Sequence, residues 1–306
     1  MVKLQELSKN ELFGPGHRLC AGCGPAISMR MLTKAFRGPT VVTNATGCVE
    51  VATTIYPFNA WQVPYVHSAF ENVAATASGI EAGYKALRRR GALKEHIDVI
   101  AIGGDGGTFD IGIQALSGAL ERGHDFVYLC YDNEAYMNTG IQRSGATPRG
   151  AATTTSPAGS KIPGKPEWKK DFAGICIAHG IPYVATATIG YWNDYITKVR
   201  KAIEVEGPAV VHVLAPCPLG WRFEPKLTMK LSRLAVQTRY FPIYEYDRGK
   251  YILSIKVPNP LPVEEFLKHQ GRFRHLFKPE LKPEIEKIQA GVNLNYERIA
   301  KICDEH

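Results

Sequence analysis

Along the first two-thirds of the chain, short apolar runs alternate with longer segments of helical periodicity. The runs Thr40–Thr43, Val63–His67, Ile97–Ile102, Phe126–Tyr131, Tyr183–Ala187 and Ala209–Leu214 are mostly apolar at successive positions. That pattern marks strands buried on both faces. The segments Pro25–Phe36, Phe70–Arg90, Ile111–Arg122, Trp168–His179 and Tyr191–Val205 carry the 3.6-residue period of amphipathic helices. The alternation predicts an α/β fold, a parallel sheet with helices on both faces. Ligands of such sheets sit beyond the carboxyl ends of the strands. Gly104-Asp105-Gly106 and Asp132-Asn133 fall just past two such ends.

Two stretches break the pattern. Residues 138–167 are rich in Gly, Thr, Ser and Pro and read as one long loop, a length usually reserved for function. After Trp221 the prolines scatter, a hairpin is expected near Asp247-Arg248-Gly249-Lys250, and a charged helix closes the chain. Residues 1–221 are therefore expected to form the cofactor-binding domain, and residues 222–306 an extension that packs on partner subunits.

Composition narrows the class. A chain of 306 residues that is 45% hydrophobic has ample material for one large core. Met1–Glu6 lacks the apolar stretch of a signal peptide, and no apolar run approaches the roughly 20 residues of a membrane helix. A soluble cytoplasmic protein with no membrane partner is expected. The formal charge is +8, but no basic block is interleaved with aromatics and the longest run is Arg88-Arg89-Arg90. That argues against nucleic acid. It suits a solvated face or an interface with acidic partners, and it would attract an acidic electron carrier or a polyphosphate cofactor. Seven cysteines in a cytoplasmic chain point to metal or catalytic use rather than disulfides.

The glycine-rich turn after Ile97–Ile102 lets the backbone approach phosphates closely, with the start of the next helix, near Phe109, presenting free N–H groups. Asp105 is then placed to ligate Mg²⁺, which takes hard oxygen ligands and bridges protein to phosphate. The Asn133 amide oxygen is the expected second ligand and a nearby carbonyl, that of Ala135, the third. The order G-D-G, helix, strand, Asn is similar to the thiamine diphosphate signature. No G-x-G-x-x-G follows the first strand, so a nicotinamide-binding turn fits poorly.

Cys20 and Cys23 form a C-x-x-C pair, Cys48 lies in T-G-C and Cys217 in A-P-C-P. The pair alone suits zinc or iron–sulfur. Beside a thiamine site, a [4Fe–4S] cluster held by all four is the expected reading, because oxidising a 2-oxoacid releases two electrons that a cluster accepts singly. Cys130, Cys176 and Cys303 lack paired spacing and are expected to be structural.

The blocks Gly16–Gly24, Ala45–Cys48, Gly104–Gly106 and Asp132–Gln142 resemble the β subunit of pyruvate:ferredoxin oxidoreductase and its 2-oxoacid relatives, oxalate oxidoreductase among them. The resemblance runs from about residue 10 to 221. It implies a thiamine-diphosphate-binding fold that holds the cofactor, Mg²⁺ and a proximal [4Fe–4S] cluster. It implies cofactor contacts at Gly47, Gly104, Asp105, Gly106, Asn133, Ala135, Thr139 and Gly140, and a catalytic Asn138 beside the thiazolium and substrate. It implies α and other subunits in a hetero-oligomeric complex of anaerobic metabolism, with ferredoxin as electron acceptor and coenzyme A as acyl acceptor if the substrate is pyruvate. One departure is Thr147-Pro148-Arg149-Gly150, where relatives of the pyruvate class carry an aromatic after Thr-Pro. A cation there would favour a more anionic substrate such as oxalate, unless Arg149 points to solvent or to the partner. A non-redox thiamine decarboxylase leaves the four cysteines idle. A zinc-stabilised assembly subunit leaves the metal–diphosphate residues unexplained.

Overall fold

The computed structural model describes residues 2–159 and 162–305. Positions 160 and 161 of the long loop, and the two terminal residues, lie outside the described residues.

The strands are β1 Thr40–Ala45, β2 Tyr65–Ser68, β3 Asp98–Gly104, β4 Val127–Asp132, β5 Tyr183–Thr188, β6 Ala209–Leu214, β7 Tyr244–Asp247 and β8 Lys250–Leu253. They form one sheet in the order β2-β1-β3-β4-β6-β5-β7-β8. Strands β1 to β6 pair in parallel. Strand β7 runs antiparallel to β5, and β8 antiparallel to β7. The helices are α1 Gly24–Thr33, α2 Cys48–Thr53, α3 Val73–Arg89, α4 Ile113–Glu121, α5 Phe172–Ile177, α6 Trp192–Glu204, α7 Pro218–Trp221, α8 Thr228–Gln237, α9 Glu264–Leu267 and α10 Lys282–Glu305.

Every residue of β1, β4, β5 and β6 is buried. Because side chains alternate across a strand, each strand feeds two cores. Val42, Ile100, Leu129 and Val211 join Met29 and Leu32 of α1 and Tyr195 and Val199 of α6 on one face. Val41, Val99, Tyr128 and Val210 join Ala77 of α3, Leu116 of α4 and Phe172 of α5 on the other. Coverage on both faces is what a parallel sheet requires. Among the described residues no helix is long and apolar enough to cross a membrane.

Helix α5 begins at Phe172, four residues later than the periodicity suggests, because Asp171 caps it by accepting the Gly174 N–H at 3.0 Å. Before α4 the chain makes a π-helical turn, Gly106–Ile111, directly after Asp105. Helix α2 has no counterpart in the expected elements. Its sequence, Cys-Val-Glu-Val-Ala-Thr, is rich in β-branched residues that favour strand locally.

Residues beyond Trp221 are built into the same body. The two-residue loop Arg248-Gly249, with φ of 47° and 92°, closes the β7–β8 hairpin and extends the sheet. Ile285, Ile288, Val292, Tyr296 and Ile299 form the buried stripe of α10. Trp221, Phe223, Phe266, Phe273, Leu276 and Ile288 share a third core with Leu214 of β6 and Ala151 of the long loop.

Candidate functional site

Four adjacent strands, β1, β3, β4 and β6, deliver their carboxyl ends to one edge of the sheet. They carry Gly47 and Cys48, then Gly104 and Asp105, then Asn133, then Cys217. Thr46, Gly47, Cys48, Gly104, Asp105, Gly106, Asn133, Ala135, Asn138 and Thr139 line a single cleft there, walled by Phe70, Tyr131 and Tyr136. Gly140 does not line it. With φ of 121° it shapes the turn that brings its N–H to the Met137 carbonyl at 3.3 Å.

Two glycines are bare because the cleft is tight. A Cβ on Gly47 would come within 2.6 Å of the Tyr131 hydroxyl, and one on Gly106 within 2.5 Å of the Tyr136 ring. Glycine at both positions lets these tyrosines pack directly against the backbone of the cleft wall.

Asp105 is 1% exposed. Its Oδ2 accepts from Ser144 Oγ at 2.5 Å and its Oδ1 from the Asn133 N–H at 3.3 Å. The inward terminal atom of the Asn133 carboxamide lies 2.9 Å from the Ala135 carbonyl oxygen and 2.8 Å from Asp105 Oδ1. With the amide nitrogen inward, Asn133 donates to both. With the amide oxygen inward, three oxygens meet with no donor among them. Mg²⁺ bound octahedrally at about 2.0–2.1 Å sets neighbouring ligands roughly 2.9 Å apart. The separations of Asn133 from Asp105 and from Ala135 are therefore those of neighbouring ligands in a magnesium site. Burial, reinforced by the nearby Asp132 charge, pushes the Asp105 carboxyl well above the usual range. A bound cation reverses that balance.

The cysteine turn abuts this cleft. The Gly24 N–H donates to the Pro216 carbonyl at 3.0 Å, so the C-x-x-C turn rests against the residue before Cys217. A Cβ on Gly24 would stand 2.5 Å from that oxygen. Burial, with the charge of neighbouring sulfurs, pushes Cys23 and Cys48 up to about 12. Burial raises Cys217 as well, and each of the three senses Cys20. Cys48 also senses Asp105. Among the described residues, no three Cys, His, Asp or Glu side chains close around a single metal ion. The four cysteines are near enough for the thiolate charge of one to be felt by the others, and cysteine thiolates are the ligands of iron–sulfur clusters. Cys130 and Cys176 are fully buried, and Cys303 half-buried.

Sequence reasoning missed the groups that support the loop. Asp132 is fully buried and accepts from His212 Nε2 at 2.7 Å and from Lys169 Nζ. Lys169 Nζ also reaches Glu134 Oε1 at 2.9 Å. Burial opposes both charges, yet each outweighs it for the other: Asp132 stays below the usual carboxylate range and Lys169 above the usual lysine value. Ser144, Trp221, Tyr240 and Arg272 complete the support, and no local motif marks them. Arg149 does not enter the cleft. Its guanidinium bonds the Pro166 carbonyl, pairs with Glu284 of α10 at 3.1 Å and lies over the Trp168 ring at 5.5 Å.

A larger cavity of about 480 Å³ lies between α5 and α10, lined by Trp168, Phe172, Phe241 and Val292 among others. The charged groups along it are paired within the chain: Arg149 with Glu284, Arg298 with Asp171, Lys170 with Asp110, and Lys169 with Asp132 and Glu134. It offers no uncommitted charge to a ligand, and the chemistry stays with the smaller cleft.

Residues 45–213 match the family described as thiamine pyrophosphate enzyme, C-terminal TPP binding domain. The chain is 57% identical to the pyruvate synthase subunit PorB of Methanocaldococcus jannaschii, covering 95% of this chain and 97% of that one. It is 49% identical to pyruvate synthase subunit PorB of Thermotoga maritima, over 96% of this chain and 93% of that one. It is 45% identical to ketoisovalerate oxidoreductase subunit VorB of Pyrococcus horikoshii, over 96% and 94%. A solved 2-oxoglutarate:ferredoxin oxidoreductase from Magnetococcus marinus shares the fold, with a TM-score of 0.55 at 21% identity, covering 74% of this chain and 78% of that one. The chain belongs to the thiamine pyrophosphate enzymes and, within them, to the PorB/VorB subunits of the 2-oxoacid:ferredoxin oxidoreductases.

Proposed function

We propose that this chain is the catalytic β subunit of a pyruvate:ferredoxin oxidoreductase, oxidatively decarboxylating pyruvate on thiamine diphosphate and passing the electrons through a proximal [4Fe–4S] cluster. The observation that carries the reading is the meeting of two sites in one cleft: Gly47 and Cys48 are consecutive, and both face Asp105, Asn133 and Asn138. When bound, thiamine diphosphate supplies an electron sink for the carbanion left by decarboxylation.

The chain's own residues then have separable tasks. Gly104 and Gly106 give the diphosphate access to backbone. Asp105, Asn133 and the Ala135 carbonyl would hold Mg²⁺, and Ser144 turns Asp105 Oδ1 inward by binding Oδ2. Asn138 and Thr139 extend the same wall toward the reacting end. Phe70 and Tyr136, stacked with ring centroids 5.6 Å apart, keep water from that side. Cys20, Cys23, Cys48 and Cys217 would hold the cluster, with Cys48 next to the cofactor wall so that electrons travel a short path.

Pyruvate is favoured by the relatives of 57% and 49% identity, both pyruvate synthase subunits. The case for oxalate rested on Arg149 as a cation near substrate, and Arg149 is committed to Glu284 outside the cleft. Residues 222–306, with 16 Lys/Arg against 11 Asp/Glu, would also present a face to partner subunits. Seven free thiols suit a reducing cytoplasm.

The test is turnover by the anaerobically purified complex, with its partner subunits, ferredoxin and coenzyme A. Pyruvate should give CO₂, acetyl-coenzyme A and reduced ferredoxin. Turnover of oxalate without coenzyme A, or of a branched 2-oxoacid in preference to pyruvate, would overturn the substrate assignment. CO₂ release without ferredoxin reduction would favour a non-redox decarboxylase.

A further inference from the structure

Asn133 and Ala135 flank Glu134, a fully buried residue whose φ is 66°. A non-glycine residue keeps that left-handed backbone only where its surroundings over-determine it. The turn aims the Asn133 side chain and the Ala135 carbonyl at the same point, within 2.9 Å of each other. The Glu134 carboxylate accepts from Arg272 at 2.5 Å on Oε2, and from Lys169 and the Tyr240 hydroxyl at 2.9 Å each on Oε1. Its own carbonyl accepts from Thr147 Oγ1 at 2.7 Å.

Arg272 is 2% exposed and fixed by Gln270 Oε1, which accepts from its Nε at 2.9 Å and from its terminal nitrogen at 2.8 Å. Its guanidinium lies 4.0 Å from the Trp221 ring centroid. Trp221 Nε1 donates to the Asn133 carbonyl at 2.7 Å. Trp221 is also the last residue of α7, which begins right after Cys217. One guanidinium thus braces both sides of the turn: Glu134 directly, and Asn133 through the indole.

We propose that Arg272 is a positioning residue for the metal–diphosphate site, supplied by the C-terminal region to hold the Asn133–Glu134–Ala135 turn in its ligating shape. It touches neither metal nor cofactor. The inference rests on the magnesium–thiamine diphosphate reading above.

The experiment uses the anaerobically purified complex, with Mn²⁺ as a spectroscopically visible substitute for Mg²⁺ and thiamine diphosphate present, and reads Mn²⁺ affinity by electron paramagnetic resonance. Arg272→Met should weaken binding about 10–100-fold, the usual effect of losing a group that orients a ligand. Arg272→Lys should recover part of it, keeping the charge but not the planar stack on Trp221. Glu134→Gly and Glu134→Ala both remove the carboxylate, yet glycine takes positive φ without steric cost, so the glycine variant should bind Mn²⁺ more tightly than the alanine variant. Thermal unfolding of each complex reports assembly. If Arg272→Met does not assemble, Arg272→Lys takes its place in the comparison with wild type. Arg272→Met binding Mn²⁺ like wild type, or alanine equalling glycine at 134, would overturn the proposal and leave the thiamine reading intact. A wild-type complex that binds no Mn²⁺ with thiamine diphosphate would overturn both.

Discussion

The oxygen-lined end of the cleft and the sulfur end that meets it at Cys48 are prepared to different degrees. The Asn133 carboxamide already stands 2.8 Å from Asp105 Oδ1 and 2.9 Å from the Ala135 carbonyl oxygen, with Ser144 on Asp105, Thr147 on the Glu134 carbonyl and Trp221 on the Asn133 carbonyl. The four cysteines share a neighbourhood, but burial keeps Cys23, Cys48 and Cys217 protonated and none of them closes on a single ion. The difference follows from ligand chemistry. A carbonyl and an amide bind a cation without losing a proton, so Asp105 is the one ligand there whose raised carboxyl must ionise, and hydrogen bonds can shape most of that site in advance. Thiols must ionise to bind, and only the incoming metal offsets that cost. Metal loading should therefore reshape the sulfur end more than the oxygen end.

The largest effect should come from Asp105→Ala. Removing a direct ligand should weaken thiamine diphosphate and Mn²⁺ binding by more than the roughly 10–100-fold expected of a supporting residue, and leave the iron content of the complex unchanged. Iron lost along with thiamine would break the separation of the two ends. Cys48→Ala is the converse. Iron and sulfide analysis should show the cluster lost while thiamine diphosphate still binds. An intact four-iron spectrum would remove Cys48 from the ligand set.

A smaller effect is expected from Trp221→Phe, which leaves the Asn133 carbonyl without its donor at a cost of about 1–3 kcal/mol, read by Mn²⁺ titration. The smallest is a pH effect at the loop supporting the oxygen end. Lys165 is buried, donates to the Thr147 carbonyl at 2.6 Å, and burial lowers its pKa to about 8. Unfolded lysine stays protonated to about 10.4. Between these values the unfolded chain binds the extra proton, so Lys165 adds stability as pH rises, about 1 kcal/mol from pH 8 to 9. Cys23 and Cys48, raised to about 12, act in the opposite sense in metal-free protein, because unfolded thiols ionise first. The wild-type minus Lys165→Met difference in denaturant midpoint isolates the lysine and should grow over that interval. A flat difference would show that Lys165 does not titrate there.

The same contrast explains what could be read from the sequence. Asp105 and Asn133 were legible because each stands one step beyond an apolar strand, and a parallel sheet gathers such positions at one edge. The hairpin at Arg248-Gly249 was legible because positive φ at both loop positions favours glycine at one of them. The C-x-x-C pair pointed from its spacing to a metal, zinc and iron–sulfur alike. Arg272 was not legible. It meets Glu134 across 138 residues, in a charged tail where nothing distinguishes one arginine from its neighbours. Trp221 meets Asn133 across 88 residues, and its apolar setting reads only as core. Helix α2 was missed because packing overrides the strand preference of Val49, Val51 and Thr53. Residues 222–306 were expected to serve partners; within the chain they carry β7, β8 and the Arg272 contact to the Asn133–Ala135 turn.

The central claim is that electrons released at the oxygen-lined end reach the sulfur-lined end of the same chain. The most direct measurement is the visible absorbance of the anaerobically purified complex before and after pyruvate is added without ferredoxin. The account predicts a broad iron–sulfur absorbance that bleaches with pyruvate in the wild type, and that persists unbleached in Asp105→Ala. A wild-type complex containing bound thiamine diphosphate and iron whose absorbance does not change with pyruvate would contradict it.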